Sequence, residues 1–308
     1  MIFYFRIICI CLLLTAGCQI IPTQGPGPLT LDEDNFLIWM MSDIQPRTRK
    51  ERAHFQSAVD DMVTLGMKIN IAIMAGDLLQ SHSDEDDYNW FLQTRGILNL
   101  NNWFEVAGNH DARNPELFRK YIGRPPYYGV ISGNVLLLML SDNSGSAETN
   151  ISDAAFNWWR DMVVNNQDRI IITVTHAQLR QSGLFTSAVA NRSIQDSDRF
   201  AEVLKHYKVD VWASGHSHLP NWFPGKIRMQ KSLGGTLFIN VSAIRDDIFM
   251  DIESRLLVFK EGSNLLQIYS RNHSNHRFDS GPSTVISLRH NFHSDGSEPI
   301  LIIPASPN

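Results

Sequence analysis

Five apolar runs of this 308-residue sequence end in side chains that offer oxygen or imidazole nitrogen. FLIWMM is followed by Asp43 and, two positions on, Gln45. IAIMAGDLL carries Asp77, WFEVAGNHDAR carries Asn109, His110 and Asp111, IIITVTHAQ carries His176, and VDVWASGHSHLP carries His216 and His218. Each ending alone is ordinary turn chemistry, because Ser, Asp, Asn and Gly routinely close strands. Together they form a set of carboxylates, amides and imidazoles sufficient for two divalent cations. Ala75-Gly76, Ala107-Gly108 and Ser214-Gly215 precede three of these endings and let the backbone come close to an ion or a phosphate.

For such residues to meet, their runs must be neighbouring strands whose carboxyl ends share an edge, where the ligand sites of open α/β sheets lie. An unbroken apolar run such as Phe36–Met41 reads as a strand covered on both faces, and Asp43 and Gln45, at i and i+2, then project the same way. Strand-like and helical stretches alternate. Phe36–Met41 is followed by a helix near Lys50–Leu65, Asn70–Met74 by one near Asp87–Leu98, and Trp103–Val106 by a short one near Pro115–Tyr121. Ser132-Gly133-Asn134 punctuates a hairpin, Ser152 caps a helix through Val164, and Arg169–Thr175 is a further buried strand. A helix near Asp198–Tyr207 leads to the strand Val209–Ala213, after which only short strands remain: Thr236–Val241, Arg255–Phe259, Leu265–Tyr269, Thr284–Leu288 and Pro299–Ile303. The acidic run Asp84–Asp87 reads as charge at a helix N-terminus rather than as further ligands. The expected fold is α/β, with two packed mixed β-sheets flanked by helices.

The order D-x-Q, GD, GNHD, H, GHSH resembles the calcineurin-like metallophosphoesterases over roughly residues 36 to 245. The resemblance implies that family's two-sheet sandwich and a metal-dependent hydrolysis of a phosphodiester or phosphomonoester. It implies one metal held by Asp43, Gln45, Asp77 and His218, and another by Asp77, Asn109, His176 and His216, with Asp77 as the bridge. His110 would then protonate the leaving oxygen, and Asp111 would orient its imidazole. Two divalent ions are expected, manganese, iron, magnesium or zinc. Gln45 stands where the family usually has histidine, and an amide oxygen is a harder, less basic donor, which favours manganese. Gln80 stands where many members have an acid. The stretch SRLLVFKEGSNLLQIYSRN resembles the C-terminal hairpin of secreted members.

Other features carry less. His54, His82, His206, His273, His276, His290 and His293 lie away from the strand ends and read as surface residues, His273 and His276 being the one tempting pair. Tyr127, Tyr128, Trp222 and Phe223 fall in loops near the motifs, as an apolar rim or as packing.

Residues 1–17, with Arg6 ahead of the apolar run Ile7–Leu14, read as a signal peptide, too short for a membrane span. LTAGC resembles the lipobox of bacterial lipoproteins, with lipid on Cys18, and residues 18–35 read as a Pro- and Gly-rich tether to a metallophosphoesterase domain over 36–308 with a β-rich C-terminal part. Cys9, Cys11 and Cys18 are the only cysteines, so the chain after Cys18 holds no disulfide and no thiolate metal site. Removing residues 1–17 takes away one basic residue and moves the formal charge from −5 to −6, which disfavours nucleic acid as a partner. The expected protein is an exported phosphoesterase, lipid-anchored to a bacterial membrane on its periplasmic or extracellular side and acting on a small phosphate ester. The rival is a non-catalytic, metal-bound binding module of the same fold.

Overall fold

The computed structural model describes residues 35–304 apart from 147–148, 247–249 and 279–283. The leader, Cys18 and all of the tether but Asn35 lie outside the described residues. In chain order the elements are β1 (Asn35–Met41), α1 (Arg52–Leu65), β2 (Ile71–Ala75), α2 (Glu85–Gly96), β3 (Trp103–Val106), α3 (Pro115–Ile122), β4 (Tyr127–Ser132), β5 (Val135–Leu140), α4 (Asp153–Asn165), β6 (Ile170–Thr175), α5 (Ser197–His206), β7 (Val211–Ser214), β8 (Ile227–Gln230), β9 (Thr236–Asn240), β10 (Glu253–Lys260), β11 (Leu265–Asn272), β12 (Arg277–Phe278), β13 (Thr284–Ser287) and β14 (Ile300–Ile302).

One sheet has the order β12-β11-β10-β1-β2-β3, with β13 also paired to β11; the other has the order β14-β4-β5-β6-β7-β9-β8. Both are mixed. β1, β2 and β3 are parallel while β10 runs antiparallel to β1. β5, β6, β7 and β9 are parallel while β4 and β8 run antiparallel at either side.

The layering explains the apolar runs. In β1, Phe36, Ile38 and Met40 enter the core between the sheets, while Leu37, Trp39 and Met41 join a second core beneath α1, α2 and α3. Strand alternation therefore puts water on neither face, so no polar residue interrupts the run. β5 and β6 do the same, with Leu137 and Ile172 between the sheets and Leu136 and Ile171 under α4 and α5. The acidic run caps α2 as expected: Asp84 accepts from the Asp87 amide at 3.1 Å, and Asp87 accepts from the Asp84 amide at 3.1 Å.

Two strands have no counterpart in the sequence pattern. β8 is an edge strand whose four residues are all half-buried, so it shows neither alternation nor an apolar run, and β12 is only two residues long.

Candidate metal centre

The parallel strands β1, β2 and β3 of one sheet and β6 and β7 of the other bring their carboxyl ends together, and the expected ligands meet there. Asp43 links the sheets: its Oδ2 accepts from the His216 amide at 2.9 Å, and its Oδ1 lies 2.9 Å from His218 Nε2. Asp77 accepts from the His110 amide through Oδ1 at 2.9 Å, and its Oδ2 lies 3.2 Å from His176 Nε2. His176 Nε2 is also 4.0 Å from Asp43 Oδ1, so one imidazole faces both carboxylates.

The backbone is bent to reach this arrangement. Asp43, Asp77, His216 and His218 have φ of 55°, 54°, 64° and 45°, half of the eight non-glycine residues at positive φ among the described residues. Only a few per cent of non-glycine residues adopt that region, Asp and His more readily than most, and such strain persists where surrounding contacts enforce it. Asp43 N donates to Gly76 O at 3.0 Å, and Gly215 N donates to His176 O at 2.8 Å. The glycines leave the required room. A Cβ on Gly108 would collide with the Asp77 carboxylate, one on Gly215 with Asp43 and Ser42, and one on Gly76 with the His176 ring.

Two atoms identify what the site is built to hold. Asn109 Oδ1 and His176 Nε2 are buried without a hydrogen-bond partner, the 3.2 Å approach of His176 to Asp77 being too poorly directed to make one. Buried polar atoms rarely go unpaired, so an unpaired acceptor and an unpaired ring nitrogen on the ends of these strands are groups that a cation could satisfy. The imidazoles are turned for that role. His176 Nδ1 donates to Ala75 O at 2.8 Å, which frees Nε2, and His216 Nε2 donates to Asn191 O at 2.9 Å, which frees Nδ1. One donor atom from each of Asp77, His176 and His216 lies within 4.8 Å of the others. These residues fit a divalent metal.

The electrostatics agree. Burial opposes the charged form of Asp43, yet the neighbouring His218 and His176, with the Ser42 hydroxyl, hold its carboxyl well below the ordinary range. Burial likewise disfavours charge on His176, but Asp77 and Asp43 overcome it and raise its pKa to about 10. His216 moves the other way, to about 4, through burial and the charge on His176. Without a cation, the proton on His176 is the positive charge that two buried carboxylates require.

His110 sits at the rim, its side chain one-third exposed, with Nε2 4.0 Å from Asp77 Oδ2. Burial lowers its pKa. Here one expectation is corrected: Asp111 does not orient the His110 ring. Its carboxylate turns inward and accepts from the amides of Leu78, Leu79 and Gly108 at 3.1, 3.1 and 2.9 Å, tying the turns after β2 and β3 together. The side chain at His110 Nδ1 is Ser81, at 3.1 Å, a loop serine that nothing in the sequence marks out.

The model of the calcineurin-like phosphoesterases matches residues 36–220, well over half of the chain. The chain belongs to that family. The chain superposes on a purple acid phosphatase from yellow lupin (Lupinus luteus) seeds with a TM-score of 0.61 at 13% identity, covering 86% of this chain but only 55% of that one. It superposes on GAP50, the anchor in the inner membrane complex of Plasmodium, with a TM-score of 0.60 at 12% identity, covering 84% of this chain and 90% of that one. At such identities the likeness is one of fold. No curated protein matches it in sequence.

The remaining candidate residues lie elsewhere around this edge and in the packed layers. Gln45 is buried in the site, its Nε2 3.0 Å from His218 Nε2, and Gln80 donates to the Gln45 carbonyl at 2.7 Å. Tyr128 is packing, buried with its hydroxyl on Glu105 O, and Tyr127 lies against Trp158; Trp222 is exposed and Phe223 half-buried. His273 is not a surface residue: it is fully buried, with Nδ1 2.7 Å from Asp61 and Nε2 2.7 Å from Ser254 Oγ. That Ser-His-Asp chain resembles a nucleophile relay, but Ser254 Oγ is buried and accepts from the Trp39 indole at 2.8 Å, so no substrate reaches it. β5 also ends in an acid, Asp142, whose oxygens accept from Ser144 and the Asn150 amide in its own loop.

Proposed function

We propose that the protein hydrolyses a phosphate ester at a centre of two divalent ions, one beside Asp43, Gln45, Asp77 and His218 and the other beside Asp77, Asn109, His176 and His216. The observation that carries this is the convergence of Asp77, His176 and His216, one donor atom from each within 4.8 Å of the others, with His176 Nε2 buried and unpartnered. Two bound divalent ions supply an activated water and neutralise charge on the phosphoryl oxygens. Asp77 is the shared ligand because a carboxylate has lone pairs for two ions, whereas a neutral imidazole has one. A hydroxyl proton donated from Ser81 to His110 Nδ1 leaves the ring's own proton on Nε2, on the Asp77 side, where it can pass to the leaving oxygen.

The test is hydrolysis of a generic aryl phosphodiester and monoester by metal-stripped protein before and after divalent ions are restored. Activity that appears only with the ion, manganese most effectively, is expected. Hydrolysis indifferent to chelation would refute the reading.

The leader and Cys18 support a location at a bacterial envelope, anchored by lipid on the periplasmic or extracellular side. Cys18→Ser is then expected to move the protein from the detergent phase to the soluble fraction, and equal partitioning of both forms would refute the anchor. A second reading, a binding module without turnover, is favoured by one observation, the likeness to a Plasmodium protein described as an anchor. His110 and its serine weigh against it, since binding a metal needs neither.

A further inference from the structure

We propose that the phosphoesterase is selective for esters whose leaving group carries a planar aromatic ring, a nucleobase or an aryl group, held on a platform made by Phe185, Trp222 and Phe223. The inference rests on the hydrolytic reading above and names the substrate class for the same site. Among the described residues Phe185, Tyr207 and Trp222 are the aromatic side chains exposed by more than a third, at 59%, 37% and 68%. Two of the three stand together. The rings of Phe185 and Phe223 meet edge to face with centroids 4.5 Å apart, and Trp222 follows at 5.6 Å from Phe223, tilted by 51°. Large apolar side chains are not left in water as a group without reason, and an exposed cluster of this kind marks a binding site.

The platform is built on the segments that position metal ligands. Trp222 is four residues beyond His218, a reach of at most about 14 Å along the chain. Phe185 N donates to Gly225 O at 3.1 Å, which joins the two segments, and the next residue, Thr186, places its hydroxyl 2.7 Å from that of Ser217, between the two ligand histidines. The same loop supplies the Asn191 carbonyl that orients His216, and Arg192 donates to the His216 carbonyl at 2.9 Å. The rings are thus fixed relative to the reacting centre.

The shape selects the ligand. Three rings set at angles on an open surface offer faces and edges for a flat partner. A π-face stacks on any nucleobase or aryl ring alike, which is why the chemistry common to both is what the structure specifies.

The decisive measurement separates the platform from the metal. Trp222 is the one exposed tryptophan among the described residues, so its fluorescence is the part most open to a ligand. Adenosine and 4-nitrophenol, neither carrying phosphate, are expected to quench it in metal-free protein, with Trp222→Phe removing that signal and Phe185→Ala weakening binding by about 5- to 30-fold. The tighter of the two ligands identifies the source of the ring. In parallel, kcat/KM for adenosine 5′-monophosphate and 4-nitrophenyl phosphate should fall by a similar factor in Trp222→Ala, while that for glycerol phosphate stays unchanged. Quenching by neither ligand, or an equal loss on all three esters, would overturn the platform. Aromatic binding without metal-dependent turnover would leave the platform standing and sink the hydrolytic reading instead.

Discussion

Replacing Gln45 with alanine is expected to weaken the ion beside Asp43 and His218 by about 10- to 150-fold. The backbone around Gln45 does not depend on its side chain: its amide donates to Asp77 O and Leu78 O at 3.2 Å, and its carbonyl is held by Gln80 at 2.7 Å. The substitution therefore removes one polar group and little else. A polar contact to a charge contributes roughly 1.5–3 kcal/mol. The amide turns Nε2 toward His218 Nε2 at 3.0 Å, a ring nitrogen that already faces Asp43 Oδ1, so turning Oε1 to a cation instead gives up no good hydrogen bond. The full contribution of the contact therefore sets the expected range. The assay is activity against free metal for the parent, Gln45→Ala and Gln45→His, with bound metal counted by elemental analysis. Gln45→His should shift the curve to lower metal than the parent, more for zinc than for magnesium, because imidazole favours the softer ion. Superimposable curves for the parent and Gln45→Ala would show that the amide serves the turn after β1 and not the metal.

Further outcomes follow from the same geometry. His110→Ala should keep its metal but lose about 10²–10⁴ in turnover of esters with poor leaving groups, and Ser81→Ala should lose a smaller part of that, restored by Ser81→Thr; loss of metal in either would make the pair structural. Because an ion must displace the proton that His176 holds up to about pH 10, metal affinity should rise by about tenfold per pH unit between pH 6.5 and 8.5, and calorimetric titrations that coincide at the two pH values would contradict this. Asp61→Ala should cost about 3–5 kcal/mol in urea denaturation, because it strands the buried Arg271 that now donates to Asp61 at 2.6 and 2.8 Å. Burial opposes its charge, but His273, Arg271 and His276 hold the Asp61 carboxyl well below the ordinary range. Its stabilisation is therefore present above the unfolded value of about 3.9 and lost as pH falls below it, and Asp61→Asn should flatten the acid limb of the stability curve.

The candidate ligands were legible because each ends an apolar run, and the runs were legible because both faces of each inner strand are dry. The same logic located the hairpin at Gly133 and the cap at Ser152. It failed where the local sequence holds no record of a long-range contact. His273 looked like a surface histidine because its partners, Asp61 and Ser254, are 212 and 19 residues away. Asp111 looked like the orienter of His110 because the two are adjacent, yet the turn after β3 points one carboxylate inward to three amides while the neighbouring ring stays at the rim. Ser81 and Asn191 serve through a hydroxyl and a main-chain carbonyl, groups that any loop contains.

The strand ends also show why the site needs this fold around it. Four candidate ligands in left-handed backbone each carry a cost of order 1 kcal/mol or more. To this is added the burial of two carboxylates side by side. The hydrogen bonds from Ser42 and from the His110 and His216 amides offset part of the second cost, but not the backbone strain. What holds the arrangement is the dry layer between the sheets, where Met40, Ala75, Val106, Val174 and Ala213 fix the last turn of each ligand-bearing strand. A cation that bound the four carboxylate, amide and imidazole groups would relieve the repulsion and satisfy the unpaired atoms, so metal binding and the stability of these strand ends are coupled through the same residues.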